Sequence, residues 1–127
     1  MEGVDLRQLP PFSLAGLPHL HLLSLSRNAL SQLGDASLFG LSALRVLDLS
    51  LNRLHALSGP GLGLGHAFWP LRELRLLNLS SNHLYGAAIP AHMLARSAAL
   101  EVLDLSNNPV TYLPDGILMQ LPDAAVL

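Results

Sequence analysis

The sequence predicts an α/β solenoid: a curved, right-handed arc with a parallel sheet on its concave side, an irregular or short-helical convex side, and uncapped ends. Three observations predict it. One phrase recurs four times: Leu20-x-x-Leu23-x-Leu25-x-x-Asn28-x-Leu30, Leu44-x-x-Leu47-x-Leu49-x-x-Asn52-x-Leu54, Leu74-x-x-Leu77-x-Leu79-x-x-Asn82-x-Leu84 and Leu100-x-x-Leu103-x-Leu105-x-x-Asn108-x-Val110. Inside each phrase the leucines alternate with other residues, the period of a strand that buries one face. The asparagines stand 24, 30 and 26 residues apart, enough for one strand and one return segment per turn of the coil.

The composition fits one such array of 127 residues and little else. Half of the chain is hydrophobic, which argues against disorder. Only 13% is charged and the net charge is −2, so no electrostatic footprint for nucleic acid is present. Mean hydropathy is +0.41, yet the leucines are spaced by two and three, and no apolar run nears the ~18 residues of a membrane span. The chain has no cysteine, so it lacks the disulfide-bonded end caps secreted arrays usually carry, which a cytosolic chain would not need either. Met1-Glu2-Gly3-Val4-Asp5 lacks the basic and apolar regions of a signal peptide.

The elements follow in order. Residues 1–19 form a half-repeat, because Leu6, Leu9-Pro10, Leu14 and Leu17 match Leu30, Leu33, Leu38 and Leu41. Full repeats occupy 20–43, 44–73, 74–99 and 100–123, and residues 124–127 start another. The first repeat returns through Leu33, Leu38 and Leu41. The second is longer, with a glycine-rich stretch Gly59-Pro60-Gly61-Leu62-Gly63-Leu64-Gly65 that reads as a surface loop, after which Phe68 closes the core ahead of Leu71. That stretch lacks the lysine and Ser/Thr of a phosphate-binding loop. In the third, Ile89-Pro90-Ala91-His92-Met93-Leu94-Ala95-Arg96 reads as a short convex helix with proline in its first turn. Interior repeats bury their faces only against neighbours, and the polar terminal units that end such arrays are missing. The chain is therefore expected to be a piece of a longer array; the alternative is a short protein whose ends fray or are covered by a dimer partner.

Where each coil bends, backbone amides lose their ladder partners and need others. An asparagine carboxamide donates and accepts at once. Asn28, Asn52, Asn82 and Asn108 are therefore expected to form a structural ladder, with no catalytic role.

Function is expected on the outward strand positions. One column is apolar: Leu22, Val46, Leu76 and Val102. The next is Ser24, Asp48, Asn78 and Asp104, and the one after it is serine throughout: Ser26, Ser50, Ser80 and Ser106. Adjacent strands lie ~4.8 Å apart, so each column is a continuous stripe. An anchor row beside a polar row resembles a binding face, although aliphatic residues also simply favour strands. Arg27, Arg45, Arg75 and Glu101 flank the columns. Arg45 and Arg75 are placed to hold a partner's carboxylate, to pair with neighbouring acids such as Asp48 or Glu73, or simply to be solvated. Leu51 is apolar where its equivalents are Arg27, Ser81 and Asn107. Trp69 is either an interface residue or a cover for the enlarged loop. Asn78-Leu79-Ser80 is a glycosylation sequon that the repeat itself supplies. The six histidines have no ligand spacing, and no nucleophile elbow occurs. No metal, cofactor or enzymatic activity is expected. An enzyme would need a small-molecule site in the Gly59–Gly65 loop.

The four phrases resemble the leucine-rich repeat superfamily over nearly the full chain. Their Leu-Asp-Leu-Ser and Leu-Asn-Leu-Ser wording and 24-residue spacing are similar to its extracellular members, the Toll-like receptors and small leucine-rich proteoglycans. A narrower likeness runs from Asn52-Arg53-Leu54 through the glycine/leucine expansion to Asn82-His83-Leu84-Tyr85-Gly86. It resembles the N-terminal repeats of the GARP family, membrane proteins that present latent TGF-β. That family tethers its cargo partly through disulfides, and this chain offers no cysteine for that role.

The resemblance implies a non-catalytic module that binds a protein ligand, not nucleic acid, without inserting into a membrane. Its expected setting is an extracellular or membrane-anchored receptor or matrix ectodomain. The alternative is an intracellular scaffold or adaptor of the same fold. Exposed apolar ends also predict that the 127-residue chain associates in solution. Light scattering is expected to show species larger than a monomer, and a monomeric, cooperatively melting sample would refute this.

Overall fold

Each phrase of the sequence places a three-residue strand centred on its second leucine, ahead of its bend. The computed structural model describes residues 2–10, 12–34, 36–57, 67–85 and 96–111. Strands β1 (Leu22–Ser24), β2 (Val46–Asp48), β3 (Leu76–Asn78) and β4 (Val102–Asp104) form one parallel sheet in sequence order. The register is in step throughout, Leu22 against Val46, Val46 against Leu76, and Leu76 against Val102. The open sheet of four parallel strands is that of a leucine-rich repeat solenoid. Gln32 and Ala56 add a parallel bridge on the next side of the coil.

The core is a stack of leucines. In the second repeat Leu44, Leu47, Leu49, Leu54 and Leu57 are all fully buried, and Phe68 is too, closing that coil before Leu71. No helix occurs among the described residues, whose convex side is made of turns. The glycine-rich stretch 59–65, most of the segment expected to be helical at 89–96, and everything beyond residue 111 lie outside the described residues. At the other end, Leu6, Leu9 and Leu14 pack partly buried on the core. Leu17 departs from its equivalence to Leu41: it is 44% exposed, whereas Leu41 is fully buried. The reason is stacking, since Leu41 lies between two coils and Leu17 on the outer side of the first.

The bend has one backbone solution used four times. Arg27, Leu51, Ser81 and Asn107 all take left-handed φ values, between 55° and 58°. Before the bend, amides donate to the following coil: Leu49 N–H bonds Asn78 O at 2.8 Å and Leu51 N–H bonds Ser80 O at 3.0 Å. Past it they donate backward, as Arg53 N–H does to Leu30 O at 2.8 Å. The asparagine bridges this reversal. The Asn52 carboxamide donates to Leu49 O and Ser50 O of its own coil and to Leu25 O of the coil before, while its oxygen accepts from Leu30 N–H at 3.1 Å. Asn82 repeats this against Leu49 and Leu54, and Asn108 against Leu79 and Leu84. Asn28 reaches back to Val4 and Leu6, so residues 2–10 continue the coil. Asn52 and Asn82 are buried, while Asn28 and Asn108 at the two ends are half-buried.

Two local features seal the first coil. Gly40 sits at φ 96°, and a Cβ there would stand 2.6 Å from the Cα of Ala15. The coils approach so closely at this turn that no larger residue fits. The other feature is Glu2. Serine replaces Asp/Asn at position 24, so the first strand lacks a carboxylate of its own. Glu2 supplies one, accepting from the hydroxyls of Ser24 at 2.9 Å and Ser26 at 2.5 Å. The Ser26 bond, then the Ser24 bond, holds the Glu2 carboxyl below its ordinary pKa.

Two predictions follow from these contacts. Asn52→Ala strands the Leu30 amide and takes one of two donors from each of Leu25 O, Leu49 O and Ser50 O; it is expected to cost about 3 kcal/mol, against about 1 kcal/mol for half-buried Asn28→Ala, and chemical denaturation measures both. Glu2 ionises more readily folded than unfolded. Its stabilising effect is therefore present above the ordinary glutamate pKa of ~4.3 and is lost as pH falls through its lower folded value. The difference in melting temperature between wild type and Glu2→Gln is expected to be full at neutral pH and to vanish in strong acid.

Candidate recognition surface

The sheet holds the outward residues in rows. Leu22 is 60% exposed at the first strand, and Val46, Leu76 and Val102 are half-buried beside it in register. Their neighbours Ser24, Asp48, Asn78 and Asp104 are also half-buried. These two rows are therefore both reachable from the concave side.

The serine row is displayed only in part, with Ser80 half-buried and Ser106 exposed. Ser26 and Ser50 are buried. Ser50 turns its hydroxyl and its amide onto one oxygen of Asp48, at 2.6 and 2.9 Å. Ser80 does the same to Asn78 and Ser106 to Asp104. Three of the four serine hydroxyls thus hold the neighbouring row in place, and Ser26 bonds Glu2 instead. Each of Asp48 and Asp104 keeps a second carboxylate oxygen that bonds nothing among the described residues. Asn78 keeps its amide nitrogen, the atom of the sequon that a glycan would take.

Leu51 stands at the rim of this face. It is 47% exposed and at φ 57°. A left-handed backbone costs an L-residue about 1–2 kcal/mol, and asparagine least. Asn107 occupies the equivalent bend with the residue best suited to it. Neither burial nor backbone preference explains leucine at 51. Arg27 shares that bend conformation and is exposed.

Arg45, Arg75 and Glu101 precede their strands, linked by Arg75 N–H to Arg45 O and Glu101 N–H to Arg75 O at 2.8 and 2.7 Å. All three side chains are exposed. The pairing of these arginines with Asp48 or Glu73 does not occur: among the described residues the salt bridge is Arg7 to Asp5. Arg45 and Arg75 instead line a cleft of about 170 Å³ with Arg72 and Glu73. Trp69 is half-buried on the turn before β3, with the Arg96 guanidinium 4.7 Å above its ring. Both readings of Trp69 contain part of this, since it packs and still borders a surface cleft.

Sequence reasoning passed over Glu2, Phe39, Arg72, Arg96 and Ser97. The Glu2 signal was the missing acid at Ser24. Ser97 holds the place of Leu41 and Leu71; it is fully buried, its hydroxyl bonded to Leu71 O at 3.1 Å. A polar residue in a leucine column requires such a partner. Chemically, these rows offer apolar contact, carboxylates and guanidinium groups on a rigid frame. Among the described residues no three His, Cys, Asp or Glu side chains converge as metal ligands, and no helix is long and apolar enough to cross a membrane.

Comparison with known families agrees with this geometry. A leucine-rich-repeat family model matches residues 3–59, and a second one matches residues 99–121. Between them lie the enlarged second return segment and the third repeat. Both matches are to the repeat itself and do not reach the narrower GARP likeness. No curated relative matches the chain in sequence. Repeats of this kind are typically non-catalytic modules for protein–protein interaction. With four in-register strands, four bends tied by asparagine and matches at both ends, the chain belongs to the leucine-rich repeat superfamily.

Proposed function

We propose that this chain is a non-catalytic recognition surface that binds a protein ligand through its concave face, within an extracellular or membrane-anchored receptor or matrix ectodomain. The observation that carries the reading is Leu51, an exposed apolar side chain kept at a bend whose backbone disfavours it. Strain retained at the surface points to function. Leu22, Val46, Leu76 and Val102 extend the apolar contact, and Asp48 and Asp104 carry charge for specificity. A frame already ordered before binding limits the entropy lost on association. The extracellular setting is supported by the 24-residue spacing and wording of the repeats; an intracellular adaptor is the competing setting.

Leu51→Asn separates folding from binding. It is expected to stabilise the fold by about 0.5–1 kcal/mol through relief of the bend, while weakening capture of the ligand. Wild type, Leu51→Asn and Leu76→Glu are to be screened against arrays of secreted and of cytosolic proteins. Binding to a secreted protein that both substitutions reduce, with melting temperatures retained, is the expected result. Ligands bound equally by all three would overturn the concave-face reading, and ligands confined to the cytosolic array would overturn the setting.

A further inference from the structure

All seven basic residues of the chain are arginines, and four of them gather along one edge of the sheet. Arg45, Arg72 and Arg75 line the cleft of about 170 Å³, with Glu73 as its acid. A second cleft, of about 340 Å³, is mainly apolar; Phe39 and Trp69 line it with Arg96 and again Arg72. Arg72 is thus a wall common to both, and the two open side by side at the N-terminal edge of the strands. The larger reaches the size of ligand pockets, ~300 Å³ and above.

The repeats provide their own control. The register places Ser42 and Ala98 where Arg72 stands, and Gly40 and Pro70 where Arg96 stands. The frame accepts small or neutral residues at both places, so neither arginine is needed to build the coil. Nor are Arg45, Arg72 and Arg75 neutralised, because none forms a salt bridge among the described residues. In a chain of net charge −2 this local excess does not follow from composition. The Arg96 guanidinium sits over the Trp69 ring, 4.7 Å from its centroid, a cation–π contact that restrains the side chain without neutralising its charge.

We propose that this edge is a second docking site, for an acidic peptide segment of a protein partner that carries an aromatic or aliphatic side chain among its carboxylates. The apolar residue enters between Phe39 and Trp69. Carboxylates on either side of it meet Arg96 and the Arg45, Arg72 and Arg75 group, where planar guanidinium forks suit them. A sulfated polysaccharide would use the charge and leave the aromatic half idle. The site rests on the reading of the chain as a protein-recognition module but lies apart from the concave rows.

The test is fluorescence anisotropy on the full chain at low salt. The probe is a fluorescein-labelled peptide with two glutamates on each side of one phenylalanine. Arg72→Gln is expected to weaken binding about fivefold or more, roughly one exposed charge-assisted contact, and Arg72→Gln with Arg45→Gln to weaken it further. Arg53→Gln, which lines neither cleft, leaves it unchanged, and circular dichroism verifies that each variant folds. Replacing the phenylalanine by alanine, or the glutamates by glutamine, is expected to weaken the probe. No binding, indifference to Arg72→Gln, or indifference to the phenylalanine with full displacement by heparin would overturn the proposal. Leu76→Glu distinguishes the two surfaces. Loss of the peptide in Leu76→Glu but not in Arg72→Gln removes the edge site and keeps the concave one; peptide binding that survives while no protein ligand responds to Leu51→Asn does the reverse.

Discussion

The fold depends on one side chain that bonds in two directions. At each bend the backbone ladder reverses from forward to backward donation, and an amide and a carbonyl are left between. The asparagine closes that gap by accepting from the coil behind and donating to both coils. Take it away and the bend has little alternative inside the core, because Asn52 and Asn82 are buried. Leucine burial drives the stacking, but it is not directional. The carboxamides are what specify where one coil ends and the next begins.

Everything on the surface inherits its position from that constraint. The bend forces a left-handed residue just before each asparagine, which is how Leu51 comes to stand at the rim. The strand before the bend is only three residues long, so its outward side chains are held at both ends. Serine hydroxyls then pin the acidic row from the side. Side chains that are immobile before a ligand arrives lose little on binding, and this is the physical advantage of a solenoid as a recognition surface.

Much of this was legible in the sequence. The Leu-x-x-Leu-x-Leu spacing places the strands, and the asparagine column implies paired amides at the bends. Phe68 is readable as core because it falls one turn ahead of Leu71. Other features were not legible, because they depend on contacts between coils. Whether Ser50 faces a partner or Asp48 depends on a rotamer, not on its column. The exposure of Leu17 depends on which side of it a coil lies. The arginine edge was half visible: Arg45 and Arg75 repeat in register, while Arg72 and Arg96 break the pattern of their neighbours and meet the first pair only through stacking. The candidate ligand rows were found from periodicity, which reports geometry well and says little about which partner fits.

Asp48 pairs with Asn78 in the same register that joins Ser24 to Asp48, although the second repeat is six residues longer than the first. Growth on the outer arc is therefore decoupled from order on the inner one. A lineage of such chains is free to lengthen or trim its return segments without disturbing the ligand-facing rows, and variation in one can proceed while the other stays under selection.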